Sequence, residues 1–235
     1  MKALERWILL LLLAALGLQV FFVLRIAVMA MVAPESTTFQ RSEMWQQWKD
    51  GANRPWKQEW VDYHQISDHL KRAVLTSEDD RFVDHSGVQW DAIERAWQRN
   101  AKEEARARNK PAKVFGGSTI TQQLAKNLLL SGERSMLRKG QELMLAHTLE
   151  LLLDKQRILE IYLNSVEWGN GIFGAEAASR HYYGKAASRL TPAEAARLAV
   201  MLPNPRHFED NPKSPYLSQR SSAIQRRMAR TPLPD

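Results

Sequence analysis

The sequence predicts an all-α protein held on one N-terminal membrane helix. Three observations carry that reading: a long apolar run at the start, helix-start signals recurring through the rest, and a scarcity of strand-like alternation. Trp7 to Leu24 reads WILLLLLAALGLQVFFVL, with Gln19 as its only strongly polar side chain. A helix over that stretch spans roughly 27 Å, close to a hydrocarbon core of about 30 Å. Arg25 interrupts the run before IAVMAMVA resumes it, and a long cationic side chain near a helix end can snorkel to the interface. A cleaved signal peptide is the rival reading, but its apolar region usually covers only about 7–15 residues. Residues 1–33 therefore read as a cytoplasmic stub and transmembrane anchor. Lys2 and Arg6 point to a cytoplasmic N-terminus, an asymmetry that Arg25 and Arg41 weaken.

Residues 34–60 form a polar juxtamembrane segment with scattered Trp45, Trp48, Trp56 and Trp60. Tryptophan favours membrane interfaces, and core or simply exposed indoles are the plainer alternative. From Val61 onward the text is mostly helical. Ser67 is positioned to cap a helix carrying Leu70, Ala73, Val74 and Ser77. Thr119 with Gln122 three residues later is a capping-box pattern that opens TQQLAKNLLL. Met136 to Leu153 is long and apolar, with no Gly or Pro after Gly140, and reads as a buried helix. Thr191-Pro192-Ala193-Glu194 combines a cap, a proline at the first helical position and an acid at the third. A domain over 61–210 and a basic C-terminal tail over 211–235 complete the division.

Lys plus Arg number 33 against 26 Asp plus Glu, a formal net charge of +7, which favours anionic partners. The chain has no cysteine, so disulfides, thiolate metal sites and cysteine nucleophiles are excluded. The stretch GNGIFG, Gly169 to Gly174, has the glycine spacing of a dinucleotide-binding turn, but no βαβ unit surrounds it. Its glycines read instead as a tight loop between helices.

Three blocks could do chemistry. SEDDRFVDHSG, Ser77 to Gly87, puts Glu78, Asp79 and Asp80 where an apolar-periodic segment ends. It is either a solvated helix end or a general acid or base whose pKa is raised by burial and like charge. GGSTITQQLAKN, Gly116 to Asn127, leaves free amides before a helix, with Gln122 and Lys126 on one face. It is either an ordinary capped helix or an anion site. In RKGQELMLAHTLE, Arg138 and Glu142 share a face, as an intrahelical ion pair or as a carboxylate beside a substrate-facing cation. His147 on the same helix reads as a packed core residue. No His, Asp or Glu spacing demands a metal site.

These blocks, with KQRILEIYLN, GNGIFGAEAASRHYYGK and LTPAEAARLAVMLPNP, stand in the order found in the peptidoglycan glycosyltransferase family. The resemblance runs from about Val61 to Pro205. It implies a lysozyme-like fold whose larger lobe faces a smaller, membrane-touching lobe across a groove. It further implies polymerisation of lipid II into glycan strands, with inversion at the MurNAc C1 and release of undecaprenyl pyrophosphate. Glu78 matches the family's base and Glu142 its second carboxylate, while Lys126 and Arg138 match the cations that hold the donor's pyrophosphate. Asp79, Phe82, His85, Ser118, Gln122, Gln123, Lys139 and Asn164 fall on positions expected to contact substrate. The resemblance implies no tightly bound cofactor, and at most Mg2+ or Mn2+ accompanying the pyrophosphate. Expected partners are lipid II, the growing glycan strand, membrane lipids and other cell-wall synthesis proteins, with no nucleic acid. The implied location is the bacterial inner membrane, with the catalytic domain in the periplasm.

Two departures stand out. Ala96 to Val114 is longer and more basic than the pattern leads one to expect, and reads as a mobile, solvated segment. Its basic residues Arg99, Lys102, Arg106, Arg108, Lys110 and Lys113 are placed to meet an anionic leaflet. Glu167 stands where many bifunctional relatives carry an aromatic, which looks like the monofunctional Gram-negative branch. A lysozyme-like or lytic-transglycosylase hydrolase is the nearest rival, and Lys126 with Arg138 argues against it, since cutting a neutral glycan needs no pyrophosphate site. A bifunctional penicillin-binding protein would need an S-x-x-K pattern, which is absent. A non-catalytic nucleic-acid or lipid binder lacks any supporting motif. None of the blocks lies in residues 1–33, so the anchor is expected to be separable from the chemistry.

Overall fold

The computed structural model of the chain describes residues 2–51, 56–106, 116–130 and 135–234. The helix α1 (Lys2–Met29) contains a stretch, Ala3–Met29, long and apolar enough to cross a membrane. Its last turns behave differently from the rest. Phe22, Ile26 and Met29 follow i, i+4, i+7 spacing and are buried in the domain's core. The Arg157 Nε also donates to the Met29 carbonyl at 2.7 Å. The anchor expected to be separable is thus partly a wall of the domain.

After α2 (Thr38–Lys49), the helices follow the start signals closely. Ser67 caps α3 (Asp68–Glu78) by accepting from the His69 amide, and Leu70, Ala73 and Val74 bury the i, i+3, i+4 face. Next comes α4 (Trp90–Arg106). The capping box of Thr119 and Gln122 opens α5 (Ile120–Leu129). Ser135 caps α6 (Met136–Leu152) and Asp154 caps α7 (Lys155–Ser165). Beyond them lie α8 (Ala175–Tyr183), α9 (Pro192–Met201), α10 (Pro205–Asp210) and α11 (Pro215–Met228). Two packed groups make the core: α3, α9 and α11 on one side, and α5, α6 and α7 on the other. Ala195, Ala196 and Ala199 are fully buried in α9, and such small side chains let neighbouring helices approach closely.

Four expectations change. The glycine stretch makes a β-hairpin, β2 (Glu167–Gly169) and β3 (Ile172–Phe173), joined in parallel by β1 (Lys57–Gln58) on the other side of β3. Strands of two or three residues are too short to leave an alternation in the sequence, so the mainly helical fold carries one small sheet. Gly174, with φ +86°, closes this hairpin, and a Cβ there would come within 2.8 Å of the Asn164 carbonyl. Second, residues 211–235 are not simply a basic tail, because α11 buries Leu217, Ile224 and Met228 against α3 and α9. Third, α6 is buried on one face only: Leu145, Ala146 and Leu149 are inside, whereas Met136, Leu137, Met144 and Leu151 are exposed. His147 also lies on the exposed side rather than in the core. Fourth, α4 carries the long basic segment as far as Arg106, so Arg99, Lys102 and Arg106 are helical rather than part of a loose loop. Arg108, Lys110 and Lys113 lie outside the described residues.

Candidate active site

The α3 helix stops at Glu78 because Asp79 leaves helical geometry, with φ −161° and ψ 76°. This turn sends the two neighbouring carboxylates to different surroundings. Asp79 goes inward. His85 Nε2 lies 2.9 and 3.0 Å from its two oxygens, and the Ile120 amide donates to Oδ2 at 3.0 Å. The Gly87 amide donates to His85 Nδ1 at 3.1 Å, which leaves the ring proton on Nε2, facing Asp79. Ile120 opens α5, so Asp79 places negative charge at a helix N-terminus, a favourable arrangement. Phe82 is buried beneath this turn, with Lys155 Nζ 4.3 Å from its ring centroid.

Glu78 turns toward a cavity of about 280 Å³, lined among others by Asp80, Arg95, Ser118, Arg220 and Arg227. Gln123 Nε2 donates to Glu78 Oε2 at 3.1 Å, and the Tyr162 hydroxyl fixes that amide by donating to Gln123 Oε1 at 2.9 Å. Burial pushes the Glu78 carboxyl above its ordinary value. The hydrogen bonds from Gln123 and Ser77 and the charge of Arg220 pull it back, and Asp79 adds a smaller upward push. A raised carboxylate suits a general base, whose efficiency is best when its pKa lies near the working pH.

Gln123 also lines a second cavity of about 360 Å³, with Phe39, Lys126, Asn127, Arg138 and Glu167. Here Arg138 has two buried nitrogens, Nε and Nη1, with no hydrogen-bond partner. Buried donors that make no hydrogen bond are costly, and the positively charged guanidinium suits an anionic oxygen brought to this cavity. The buried Glu142 sits behind, 3.5 Å from Arg138 Nη1 and in closer contact with Lys139 Nζ. Lys139 Nζ also donates to Ser118 Oγ at 3.1 Å, tying α6 to the loop that edges the Glu78 cavity. Gly117 in that loop admits α4: a Cβ there would lie 3.0 Å from the Ala92 carbonyl and the Ile93 Cα.

The structure therefore groups Glu78, Asp79, Ser118, Gln123, Lys126, Arg138, Lys139 and Glu142 in or beside two cavities linked by the hydrogen bond from Gln123, which lines the second, to Glu78, which lines the first. Gln122 and Asn164 are placed elsewhere. Gln122 Oε1 accepts from the Thr119 amide as part of the α5 cap. Asn164 exchanges two hydrogen bonds with the Val61 backbone, at 3.0 and 2.9 Å, and so clasps the segment between β1 and α3. Arg95, Arg99, Arg220 and Arg227 were not singled out in the sequence as site residues, yet all line the Glu78 cavity. A signal for two of them existed: Arg220 and Arg227 keep helical register with Leu217 and Ile224, the buried stripe of α11. Glu167 pairs with Arg206 Nε at 2.8 Å, and burial raises its carboxyl while Arg206 lowers it. Among the described residues, no group of three His, Asp or Glu side chains is arranged to hold a metal ion.

A helical domain that sets a buried carboxylate near a cavity lined by Lys126 and Arg138 suits a class of protein that transfers groups of anionic substrates, and similarity to known proteins narrows the class. The family model described as Transglycosylase matches residues 42–229. A biosynthetic peptidoglycan transglycosylase of Paraburkholderia xenovorans is 53% identical over 222 residues, covering 94% of this chain and 90% of that protein. One from Herminiimonas arsenicoxydans is 48% identical over 229 residues, covering 97% and 96%. Another from Bordetella pertussis is 51% identical over 201 residues, covering 86% and 82%. The chain belongs to the transglycosylase family.

Proposed function

We propose that the chain polymerises lipid II, with Glu78 as base and the Lys126/Arg138 cavity as the seat of the donor's pyrophosphate. The protein is a peptidoglycan glycosyltransferase that builds glycan strands. The carrying observation is Gln123, which bonds Glu78 of the first cavity and itself lines the second beside Lys126 and Arg138.

In this reading Glu78 takes the proton from the acceptor's GlcNAc 4-hydroxyl. That oxygen forms a bond to C1 of the donor MurNAc from the face opposite the leaving group. The C1–O bond to phosphate breaks, its electron pair departs with undecaprenyl pyrophosphate, and C1 inverts from α to β. Lys126 and Arg138 meet the charge that develops on the leaving group, so that oxygen needs no proton. Glu142 holds Arg138 and Lys139 in place from behind and does not touch the reacting atoms. Mg2+ or Mn2+ enters with the pyrophosphate as part of the substrate. The domain works on the periplasmic side of the inner membrane, anchored by α1.

Labelled lipid II incubated with purified protein tests the reading. Growth of a glycan polymer with release of undecaprenyl pyrophosphate is expected. Cleavage of preformed glycan without polymer growth would favour a hydrolase instead.

A further inference from the structure

The four tryptophans of the juxtamembrane segment separate cleanly in the structure. Trp56 rests on Phe173 with ring centroids 4.6 Å apart, and Trp60 packs against the core beneath Arg157. Trp45 and Trp48 are 55% and 73% exposed, stacked on each other at 5.0 Å on the outside of α2. They share a stripe with Met44, also exposed, and with Arg41, which falls on the same face at i, i+4, i+7 spacing. Lys49 lies over the Trp45 ring at 5.2 Å.

The stripe begins beside the end of α1. Arg41 lines one cavity together with Arg25, Val28 and Met29. It also bonds Ser36 and Thr38, so the turn between the helices is fixed. On its other side α2 is bound to the domain. The Thr38 hydroxyl donates to the Leu128 carbonyl at 2.9 Å, and Glu43 pairs with Arg206. The Arg41 end of the outer stripe thus lies beside the end of α1, and the opposite side of α2 is fixed to the domain.

We propose that this stripe of α2 lies in the headgroup zone of an anionic bilayer. The inference rests on the reading of α1 as a membrane anchor. Indole rings favour the membrane–water boundary, a thioether side chain favours its apolar side, and Lys49 with Arg41 suits anionic headgroups. A helix lying in that boundary buries its apolar face about 5–10 Å deep. This seat also brings Phe39, across the helix, and the cavity it shares with Lys126 and Arg138, close to the lipid surface.

The absence of cysteine makes the test direct. Full-length Met44→Cys and Gln46→Cys variants, each labelled with an environment-sensitive fluorophore, are reconstituted into phosphatidylglycerol/phosphatidylcholine vesicles carrying headgroup-level nitroxide lipid. Gln46 is exposed on the far flank of the same helix and serves as the control. Quenching at 44 is expected to exceed that at 46 by about twofold or more. Equal quenching at the two positions overturns the inference, as does a difference seen only in protein-dense vesicles, which would mark a protein contact. Flotation separates the two readings. Protein that fails to float with the vesicles overturns the anchor, whereas protein that floats without a difference overturns only the seat of α2.

Discussion

Glu78 and Asp79 are adjacent in the chain and differ in everything that matters to their chemistry. Asp79 has its oxygens occupied by His85 and the α5 amide, whereas Glu78 faces a cavity with its carboxyl raised by burial. Glu78→Gln is expected to lower polymerisation by at least the roughly 10²–10⁴ that a general base contributes. It should also stabilise the fold. A carboxyl raised in the folded state contributes most below its unfolded value, and that contribution is lost as pH rises through the folded value. Ionised Glu78 therefore weakens the fold at neutral pH, and the glutamine variant should melt at higher temperature there. The gain should vanish below the ordinary carboxylate range. Thermal melts across pH, alongside turnover, check both halves; a melting difference independent of pH would place the effect elsewhere. For the same reason, the acid limb of the wild-type activity profile should lie above that of an unperturbed glutamate. At the second cavity, Arg138→Lys should lose donor use while melting normally. A compact ammonium cannot supply the paired N–H groups of the guanidinium fork. Unchanged use of lipid II as donor would detach Arg138 from the pyrophosphate.

At the scale of elements, the sequence was most readable where a residue acts on its own backbone. Ser67, Thr119 and Thr191 cap helices as their spacing implies, because a hydroxyl two or three residues before a turn's free amide is a local geometry. Pairings across long separations left no such mark. The sheet joins Lys57–Gln58 to Ile172–Phe173, and only the fold brings them together. The candidate site divides the same way. Glu78, Lys126 and Arg138 stand in the motif blocks, but the arginines of α4 and α11 reach the Glu78 cavity by helix packing, of which the sequence shows only the register of Arg220 and Arg227 with the buried stripe of α11. Asp79 is the joint between these levels, since its side chain binds the start of α5 to the end of α3. Asp79→Asn should cost about 1.5–3 kcal/mol, the range for hydrogen bonds to a charged group. It should also lower turnover by displacing Glu78, without removing the base. A lower denaturant midpoint with unchanged slope would report the stability loss. An unchanged midpoint would mean the α3–α5 joint is held by packing instead.

Over the whole molecule, the boundary between anchor and enzyme does not fall where composition places it. The apolar text of α1 is interrupted by a charge only at Arg25 between Trp7 and Met29, yet the helix serves two environments. Its first part is exposed along its length, whereas Phe22, Ile26 and Met29 complete the core beside α6. Fully burying one such side chain is worth about 1.5–3 kcal/mol, a large share of a domain's net stability when three are lost together. The Arg157 bond to the Met29 carbonyl would go as well. Two truncations in detergent separate these contributions. Removing residues 1–20 takes away most of the exposed apolar helix and leaves all three packed side chains. Removing residues 1–33 takes both. The shorter deletion should melt close to the full chain and keep its turnover on detergent-solubilised lipid II. The longer one should melt several degrees lower, as expected when about 1 kcal/mol shifts a domain of this size by roughly 2–4 °C. It should also aggregate more readily, because apolar surface on α6 that α1 covers becomes exposed. Equal melting of the two would show that α1 leaves the domain in solution and that its packed turns add nothing to the fold.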